Sequence, residues 1–448
     1  MSDPTPPDPK PQPSMISRQA ARFLQRLRDL ERRPLRQLVG FQARRVEELV
    51  RHARRNVPFY ANRFDAAFDA EDHLDLSRWL EVPILDRATA QANSETLKAR
   101  ETPADAGTAR PDRTTGSSGT PFFFEKSQAT QVADAAHAMR LFQDHGLDTD
   151  GRLCDMRIDY LGVAAYPEGR SLPDWSYGLG SGDYAMLDIN TPLADQVEWL
   201  VRRQPRNLFT WATNAREIAL ELERIGETLP LTGLMTSAER CTPGVRADCA
   251  RVFGVEPVDF LSSREIGIVL FACNEAPVYH LAAESAFIEV IADDGRPARA
   301  GETGQIMATG FFNFHMPLIR YATGDYITLS DKSCACGRSL PAVSAIDGRA
   351  RNRFTRSNGD KLFPKLPESE LDARFGPGRW QVVQTGIGAI EVHVETEDAG
   401  QTPAEDASLA PLISESLGET VEVKNRSKEK RPDKSGRRKH EQFRSECL

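Results

Sequence analysis

Short apolar stretches alternate with helix-patterned stretches through the middle of the chain, and this alternation is the feature that most constrains its fold. The pattern predicts strands at residues 208–211, 231–236 and 257–261, with helices at 215–225 and 245–253 between them. Parallel strands need a long crossover connection, which is usually a helix. The alternation therefore predicts an α/β protein built on a parallel or mixed sheet.

The segments that follow predict a different arrangement. Strand-like stretches separated by turns occur at residues 287–291, 304–309 and 326–329, and they indicate a β-rich lobe. Two more strand-like stretches, at 380–384 and 389–394, come after a strongly basic run. We expect these last segments to form a small, mobile α+β domain that is joined to the rest of the chain by a hinge.

Helical spacing dominates the N-terminal part of the chain. Apolar residues recur at helical intervals from residue 16 to residue 55, and Pro34 is expected to divide this stretch into two helices. A further long helix is predicted at residues 127–145, with Gly146 as its stop. The first residues are proline-rich and polar, so we expect them to be disordered. The predicted organisation is a disordered segment at 1–14, a large N-terminal domain at 15–347 and a small C-terminal domain at 348–448.

The composition argues against several classes of protein. The net charge of −8 does not suit a general nucleic-acid binder, which carries a basic excess. The longest apolar stretch, residues 266–273, is too short to span a bilayer, so we expect no membrane partner. The N-terminus lacks the apolar core of a secretory signal, and seven cysteines do not suggest a disulfide framework. We expect a cytoplasmic monomer or homodimer with reduced thiols.

Residues 114–121, Thr-Thr-Gly-Ser-Ser-Gly-Thr-Pro, have the composition of a loop that holds phosphates. Hydroxyls and backbone N–H groups bind anions, and glycine lets the backbone approach them closely. The stretch lacks the Gly-Lys-Ser/Thr ending of a Walker loop. A polar linker explains the composition equally well. The nucleotide-binding candidates in the loop are Thr114, Thr115, Gly116, Ser117, Ser118, Gly119 and Thr120.

Four further motifs follow this loop along the chain. They are Thr-Ser-Ala-Glu at 236–239, Asp-Phe-Leu-Ser-Ser-Arg-Glu at 259–265, Tyr-Ala-Thr-Gly-Asp at 321–325 and Gly-Arg at 348–349. Together with the loop, they resemble the adenylate-forming superfamily of acyl-CoA synthetases and adenylation domains. Within that superfamily, the chain is most similar to the phenylacetate-CoA ligase and CapK-like branch, and the resemblance covers most of the chain.

The resemblance implies a site for ATP and Mg²⁺. Glu265 corresponds to the catalytic magnesium ligand, Asp325 to the residue that grips the ribose hydroxyls, and Arg349 to a hinge arginine that reaches the nucleotide. A carboxylate is suited to Mg²⁺, which prefers oxygen ligands. Taken alone, Glu265 is better explained as a surface acid and Asp325 as a turn residue, and the order of the motifs favours the functional interpretation. Ser237, Ala238 and Glu239 correspond to the segment that lines the adenine, and Ser262 is a further nucleotide-binding candidate.

The implied activity is ATP-dependent activation of a carboxylic acid to an acyl-adenylate, followed by transfer to a thiol. Catalysis of this kind is mostly positioning and charge neutralisation. Coenzyme A is the implied acceptor. The phosphopantetheine arm of an acyl carrier protein and an amine are alternatives, because the basic run at 349–356 suits an acidic carrier and the phosphates of coenzyme A equally well. A nucleotide-binding member without turnover is a further alternative.

Several positions differ from the pattern of the family, among them Arg264, which is unexpected within the motif at 259–265. Phe122 follows the loop, where many members have a lysine. Arg437 follows a glycine near the C-terminus, where members commonly carry the lysine that contacts the carboxylate and the phosphate. Arginine also neutralises charge, although its planar fork is bulkier, so Lys434 and Lys439 are the other catalytic candidates. A flexible basic tail is the alternative interpretation of this segment.

Aromatic residues near the central motifs predict a pocket for the acyl group. The candidates are Phe209, Trp211, Phe260 and Leu261. Aromatic walls suit an aromatic or otherwise flat acid. His137, Trp175, Tyr177 and Tyr184 are further candidates for the same pocket, although such residues are more often explained by simple packing or a surface position.

Three cysteines and a histidine predict a zinc site. Cys273 and His280 lie seven residues apart, and Cys334 and Cys336 form a Cys-x-Cys unit before Gly337. Three thiolates and one imidazole suit tetrahedral Zn²⁺ and leave no open position, so the metal would be structural. Buried free cysteines with a surface histidine are the alternative.

Overall fold

A computed structural model of the chain describes residues 14–69, 71–114, 121–396, 408–429 and 441–447. The helices are α1 (Met15–Glu31), α2 (Leu35–Asn56), α3 (Arg87–Ala92), α4 (Gln128–Asp144), α5 (Leu193–Arg203), α6 (Ala212–Ile225), α7 (Pro243–Phe253), α8 (Glu368–Phe375) and α9 (Leu409–Leu417). Within these described ranges, no helix has both the length and the apolar character that crossing a bilayer requires.

The strands of the large domain are β1 (Ala109–Arg113), β2 (Phe123–Ser127), β3 (Leu153–Arg157), β4 (Arg170–Leu172), β5 (Tyr184–Asp188), β6 (Asn207–Trp211), β7 (Gly233–Ser237), β8 (Pro257–Ser263), β9 (Gly267–Ala272), β10 (Tyr279–Leu281), β11 (Ala286–Ile291), β12 (Thr303–Gly310), β13 (Tyr321–Leu329) and β14 (Ala342–Arg349). The later strands are β15 (Phe354–Thr355), β16 (Lys361–Leu362), β17 (Trp380–Gly386), β18 (Ala389–Thr396), β19 (Glu422–Glu429) and β20 (Phe443–Ser445).

Local signals set the bounds of the N-terminal helices, as the sequence predicted. Pro34 stands between α1 and α2. Helix α4 begins after Ser127, whose side chain accepts a hydrogen bond from the Thr130 backbone N–H at 3.3 Å. It ends shortly before Gly146, which has a φ of 63°. A capping side chain satisfies a backbone donor that the helix leaves unpaired, and glycine adopts positive φ without steric strain.

A twelve-stranded mixed sheet organises the large domain, with the strand order β11-β12-β13-β14-β10-β9-β8-β7-β6-β3-β5-β4. Strands β5, β3, β6, β7 and β8 pair in parallel, and the strands from β8 to β11 pair antiparallel. Strand β8 belongs to both halves, because residues 257–259 pair with β7 and residues 260–263 pair with β9. The predicted mixed sheet and β-rich lobe are confirmed.

Alternating side chains show how the parallel half is buried. In β3, Cys154 and Met156 enter a core shared with α5, α6 and α7, whereas Leu153, Asp155 and Arg157 lie on the opposite face. That opposite face packs against α4 and borders a cleft at the carboxyl ends of the strands. Ligand sites in α/β sheets lie at this edge.

The residues after β14 form a second, four-stranded sheet with the order β19-β18-β17-β20. Side chains of α8 and α9 pack with this sheet around Leu371, Trp380 and Ile413. Arg216 on α6 lies 2.6 Å from Asp372 on α8, measured from Nη2 to Oδ2, so an ion pair connects the two sheets' helices. The domain boundary between residues 347 and 348 and the mobility of the C-terminal part stay predictions.

Candidate functional site

A cleft of about 3230 Å³ runs between the large sheet and the C-terminal sheet. Pockets for one small ligand measure about 300–1,000 Å³, so this cleft has room for several bound groups. Sequence candidates that line it are Thr114, Phe209, Trp211, Ser237, Ala238, Phe260, Ser262, Glu265, Asp325 and Arg349. Motifs that are far apart in the chain therefore converge on one site.

Glu265 lies in a cluster of hydrogen-bond donors in this cleft. It is only 7 % exposed. The Tyr321 hydroxyl donates to Glu265 Oε1 at 3.1 Å, and Arg87 Nη1 lies 3.7 Å from the same oxygen. Arg87 also donates through Nη2 to Thr114 Oγ1. One guanidinium thus connects the start of the predicted phosphate loop with the predicted magnesium ligand.

Burial raises the pKa of Tyr321, and the neighbouring Glu265 carboxylate raises it further. The phenol therefore stays protonated at neutral pH and remains a donor to Glu265. Arg87 was missed in the sequence because it is far from every motif. The available local signal was Asp86, which caps α3 by accepting from the Thr89 backbone N–H at 2.8 Å and so places Arg87 in the first turn.

Strands β1 and β2 form an antiparallel hairpin whose connection carries the predicted phosphate loop. Backbone N–H of Thr114 donates to the Phe122 carbonyl at 3.0 Å, and the Phe122 N–H donates to Thr114 Oγ1 at 3.1 Å. These bonds close the base of the loop. Thr115, Gly116, Ser117, Ser118, Gly119 and Thr120 lie outside the described residues, so their predicted role stays a prediction.

Phe122 explains why no lysine follows the loop in this chain. Its side chain is fully buried and stacks with Tyr321, with ring centroids 6.5 Å apart. Besides Arg87, Lys126 is a cation near the base of the loop that sequence reasoning missed. Lys126 Nζ lies 2.5 Å from Asp134 Oδ2 and donates to the Arg264 carbonyl at 3.3 Å. Both Lys126 and Asp134 line the cleft.

Arg264, an unexpected residue within its motif, is paired rather than free. Its Nη1 lies 3.2 Å from Asp112 Oδ1, and its guanidinium packs over the Tyr160 ring at 5.5 Å. Arg264 Nη1 also donates to the Arg113 carbonyl at 2.9 Å. The side chain therefore joins the hairpin to the loop after β3.

Asp325 and Arg349 face each other across two paired strands. They are direct partners in the β13–β14 register, and Arg349 Nε donates to Asp325 Oδ1 at 3.2 Å. Thr323 Oγ1 accepts from the Asp325 backbone N–H at 3.2 Å, and Gly324 between them has a φ of 83°. The strand is irregular at this point, and the Asp325 carboxylate lines the cleft, where it can accept hydrogen bonds from vicinal hydroxyls.

The predicted adenine segment extends from the end of β7. Ser237 and Ala238 line the cleft, and Ala238 has a φ of 72°, an uncommon backbone conformation for a residue with a Cβ atom. Glu239 is placed differently. Its Oε2 accepts a hydrogen bond from the Thr213 backbone N–H at 3.0 Å, so the Glu239 side chain connects this segment to α6. Glu239 does not line the cleft.

Aromatic side chains line the part of the cleft beyond β7. The rings of Phe209 and Phe260 lie 5.8 Å apart, and Trp211 lines the same wall. Leu261 does not, and instead packs with the core of the large domain. Consecutive residues of a strand point to opposite faces, so Phe260 and Leu261 cannot both face the cleft. The further candidates Trp175, Tyr177 and Tyr184 also line it. His137 does not, because its side chain is buried and its Nε2 lies 2.5 Å from Ser285 Oγ.

Cys273, His280, Cys334 and Cys336 come together, with their ligand atoms all within 4.8 Å of one another. Tetrahedral zinc with bonds of about 2.3 Å to sulfur and about 2.0 Å to nitrogen places two sulfurs about 3.8 Å apart and sulfur and nitrogen about 3.5 Å apart. The Cys273–Cys334 Sγ distance is 3.7 Å, and Cys336 Sγ lies 3.3 Å from His280 Nε2. The donor set and spacing therefore fit zinc.

The surroundings of His280 also suit a metal site. His280 Nδ1 lies 3.3 Å from the Leu340 carbonyl oxygen and donates to it, which leaves Nε2 as the ligand atom. Burial lowers the pKa of His280 and so favours the neutral imidazole. The predicted ligand set is thus supported by its geometry.

A buried ionic cluster lies beside these loops. Glu31 Oε2 accepts from Arg140 Nη1 at 3.2 Å and from Arg338 Nε at 3.1 Å. Arg140 Nη1 also pairs with Glu284 Oε1 at 2.5 Å, and Arg338 Nη2 with Asp144 Oδ2 at 2.8 Å. All five side chains are at most 8 % exposed. The cluster ties α1 to α4 and to the Cys-x-Cys loop.

The catalytic candidates Lys434, Arg437 and Lys439 lie outside the described residues. Strand β20 follows them, and its Arg444 and Ser445 line the C-terminal side of the cleft together with Gln381 of β17. The predicted role of the three cations stays a prediction.

Known proteins with the same fold were compared with the chain. The chain is 24% identical over 356 residues to phenylacetate-coenzyme A ligase from Thermus thermophilus. The matched region covers 77% of this chain and 77% of that one. A scan against models of protein families matched none. A crystal structure of 2-hydroxyisobutyryl-CoA ligase in the postadenylation state matches with a TM-score of 0.68, 19% identity, and coverage of 91% of this chain and 90% of that one.

The chain has the fold of adenylate-forming CoA ligases. The same 2-hydroxyisobutyryl-CoA ligase in an open conformation, in complex with 2-HIB-AMP and CoA, matches with a TM-score of 0.60 and 19% identity, covering 90% of this chain and 89% of that one. The relatives are CoA ligases, and the predicted fold class and family resemblance are confirmed.

Proposed function

We propose that the protein uses ATP to activate a carboxylic acid as an acyl-adenylate and then transfers the acyl group to coenzyme A. The observation that carries this proposal is the cluster in which Arg87 and Tyr321 hold Glu265 beside Thr114. A buried carboxylate next to a phosphate-loop threonine is suited to holding Mg²⁺, which would neutralise phosphate charge when bound. The relation to phenylacetate-coenzyme A ligase supports the same activity.

The other residues have separate roles in this proposal. Asp325 accepts hydrogen bonds from the ribose hydroxyls, Arg349 orients Asp325, and Ser237 with Ala238 borders the adenine. A carboxylate oxygen of the acid attacks the α-phosphorus of ATP, the bond to the β-phosphate oxygen breaks, and pyrophosphate leaves. In the second step, the thiol sulfur attacks the acyl carbon, AMP leaves, and the thiol proton passes to solvent.

One cation is still needed for the charge that develops on the α-phosphate. Arg87 is held near the β- and γ-phosphate end of the site by Thr114 and Glu265. We assign the α-phosphate role to one of Arg437, Lys434 and Lys439. Substituting each of these three residues singly by methionine and measuring ATP–pyrophosphate exchange tests this assignment. Equal activity of all three variants would contradict it.

The aromatic wall formed by Phe209, Phe260 and Trp211 supports an aromatic acid as substrate. Coenzyme A is proposed as acceptor, because the phenylacetate- and 2-hydroxyisobutyryl-CoA ligases are named for it. The phosphopantetheine arm of a carrier protein and an amine are the alternative acceptors. Supplying each acceptor separately after adenylate formation and identifying the acyl product distinguishes them.

The experiment is ATP–pyrophosphate exchange with a panel of aromatic and aliphatic acids. We expect exchange with at least one aromatic acid, and a loss of about 10²–10³-fold in Glu265→Gln. Glu223→Gln is a matched control, since Glu223 pairs with Arg251 on the surface, is 52% exposed and does not line the cleft. Nucleotide binding without exchange for any acid would instead favour a non-catalytic member of the fold.

We further propose that Cys273, His280, Cys334 and Cys336 bind Zn²⁺ with a structural role. Four protein ligands leave no position for a substrate. The metal would connect the end of β9 and strand β10 to the loop before β14. Metal analysis of the purified protein should give about one zinc per chain, and its absence after purification without chelator would refute the proposal.

A further inference from the structure

Polar residues interrupt the wall of the cleft on its acyl side. Strand β3 presents Leu153, Asp155 and Arg157 to the cleft, and the flanking strands present Tyr184 and Phe209. Strands that are covered on both faces usually carry apolar residues throughout. A carboxylate and a guanidinium at these positions are therefore unusual, and they give this part of the cleft wall groups that can form hydrogen bonds.

Asp155 holds Arg157 in one orientation. The Asp155 side chain is 1% exposed, and Arg157 Nε donates to its Oδ1 at 2.8 Å while Nη2 contacts Oδ2. Tyr184 donates its hydroxyl to Asp155 Oδ2 at 2.8 Å. The guanidinium also lies over the Phe209 ring, 5.0 Å from its centroid. A two-point ion pair and a stacked ring fix the plane of the guanidinium.

The fixed guanidinium still faces the cleft, because the Arg157 side chain is 48% exposed. The nucleotide candidates lie near the ends of β7 and β8 and within β13, and β6 and β3 are the next strands beyond β7 in the sheet. An acid whose carboxylate is activated near Glu265 therefore extends past Phe209 towards Arg157. The far end of the acid is the part that Arg157 can contact.

We infer that Arg157 determines specificity by donating a hydrogen bond to a neutral oxygen substituent, such as a ring hydroxyl, on the far side of the aromatic acid. This inference rests on the proposed function. Asp155 balances the charge of Arg157, so the pair offers a donor with little net charge and favours a neutral oxygen over a second carboxylate. An acid without such a group leaves the donor unpaired, and sites of this kind reject it.

The test compares kcat/KM for ATP–pyrophosphate exchange between matched acids. The pairs are benzoate with 3- and 4-hydroxybenzoate and phenylacetate with its 3- and 4-hydroxy derivatives, and isophthalate serves as the dicarboxylate. At least one hydroxylated acid should exceed its parent by about tenfold or more. Arg157→Met should remove this difference by lowering kcat/KM for the hydroxylated acid alone, and Arg157→Lys should restore part of it.

Arg54→Met is the matched control variant. Arg54 also packs on an aromatic ring, 4.5 Å from the centroid of Phe68, and lies 3.5 Å from a carboxylate oxygen of Asp65, but it does not line the cleft. It should leave the preference for hydroxylated acids unchanged. Equal kcat/KM for hydroxylated and parent acids, a preference for isophthalate, or an equal loss for all acids in Arg157→Met would overturn the assignment.

Calorimetric binding of the same acids, with a non-hydrolysable ATP analogue present, separates this inference from the proposed function. A binding preference that Arg157→Met removes would support the role of Arg157 even without exchange, and the proposed function alone would then fail. Binding without such a preference overturns the assignment, whatever the exchange assay gives.

Discussion

The ion pair between Arg216 and Asp372 fastens helix α8 to helix α6, and removing the charge of Asp372 tests how strongly the C-terminal part is held. Arg216 Nη2 lies 2.6 Å from Asp372 Oδ2, and both side chains are at most 10% exposed. Arg216 Nε also lies 2.6 Å from Asp248 Oδ2. Trp380 Nε1 donates to Asp372 Oδ1 at 2.8 Å. Asp372→Asn keeps an acceptor for the indole and removes the ion pair.

The expected magnitude follows from these contacts. Unit charges about 4 Å apart near a protein surface attract by about 4 kcal/mol at an effective dielectric constant of about 20. Desolvation offsets much of this, and a hydrogen bond to a charged group contributes about 1.5–3 kcal/mol net. Because Asp248 remains as a partner for Arg216, we expect the low end, about 1.5 kcal/mol. That is roughly a tenfold change in the equilibrium constant for unfolding.

The assay is a double-mutant cycle of Arg216→Met and Asp372→Asn on the free energy of unfolding in urea. Glu370→Gln is the control on the same helix, because Glu370 is 52% exposed and its Arg374 partner lies 3.8 Å away, so it should change stability by less than about 0.5 kcal/mol. Additivity of the two substitutions within about 0.3 kcal/mol would refute the reasoning, since independent sites behave in that way.

Three other substitutions have definite expected outcomes. Arg87→Met should lower kcat/KM for exchange by about 10²-fold, because it removes the cation beside Glu265, and Arg87→Lys should recover part of it; unchanged kinetics would exclude a phosphate role. Cys336→Ser should abolish zinc binding and lower the melting temperature, whereas Cys249→Ser, at a buried cysteine outside the cluster, should retain the metal; equal zinc content in both would contradict the ligand set. Burial raises the pKa of Asp259 to about 7. The folded state therefore binds this proton more tightly than the unfolded state, so stability falls as pH rises from about 4 to about 7, and the urea unfolding free energy of Asp259→Asn should lack that fall. Parallel pH profiles would disprove it.

Features with local signals could be predicted from the sequence. The cap at Ser127 and the stop at Gly146 fix the ends of α4 by backbone hydrogen bonding and by positive φ, and both are visible in the sequence. The alternation of strands and helices predicted a parallel or mixed sheet, because parallel strands need a long crossover connection. The order of the motifs, through the family resemblance, predicted one site for Glu265 and Asp325, and both residues line the cleft.

Features that depend on tertiary contacts could not be predicted. Arg87 and Lys126 reach the cleft from segments with no motif of their own, and only tertiary packing brings Arg87 to Glu265 and Lys126 to Asp134. Asp155 was missed although it is a buried carboxylate, because no periodic pattern distinguishes it from a surface acid. Leu261 was assigned to the pocket from its neighbour Phe260, without regard to the alternation of side chains in a strand.

The ionic cluster around Glu31 makes helix α1 an internal support and not a removable extension. If the chain were shortened to begin after α1, Arg140 would keep Glu284 and Arg338 would keep Asp144, but each would lose its shared carboxylate in a place with almost no water. Removing one partner of a buried pair costs about 3–5 kcal/mol, a large part of the stability of a typical domain. A shortened version designed for crystallisation should therefore begin before Met15.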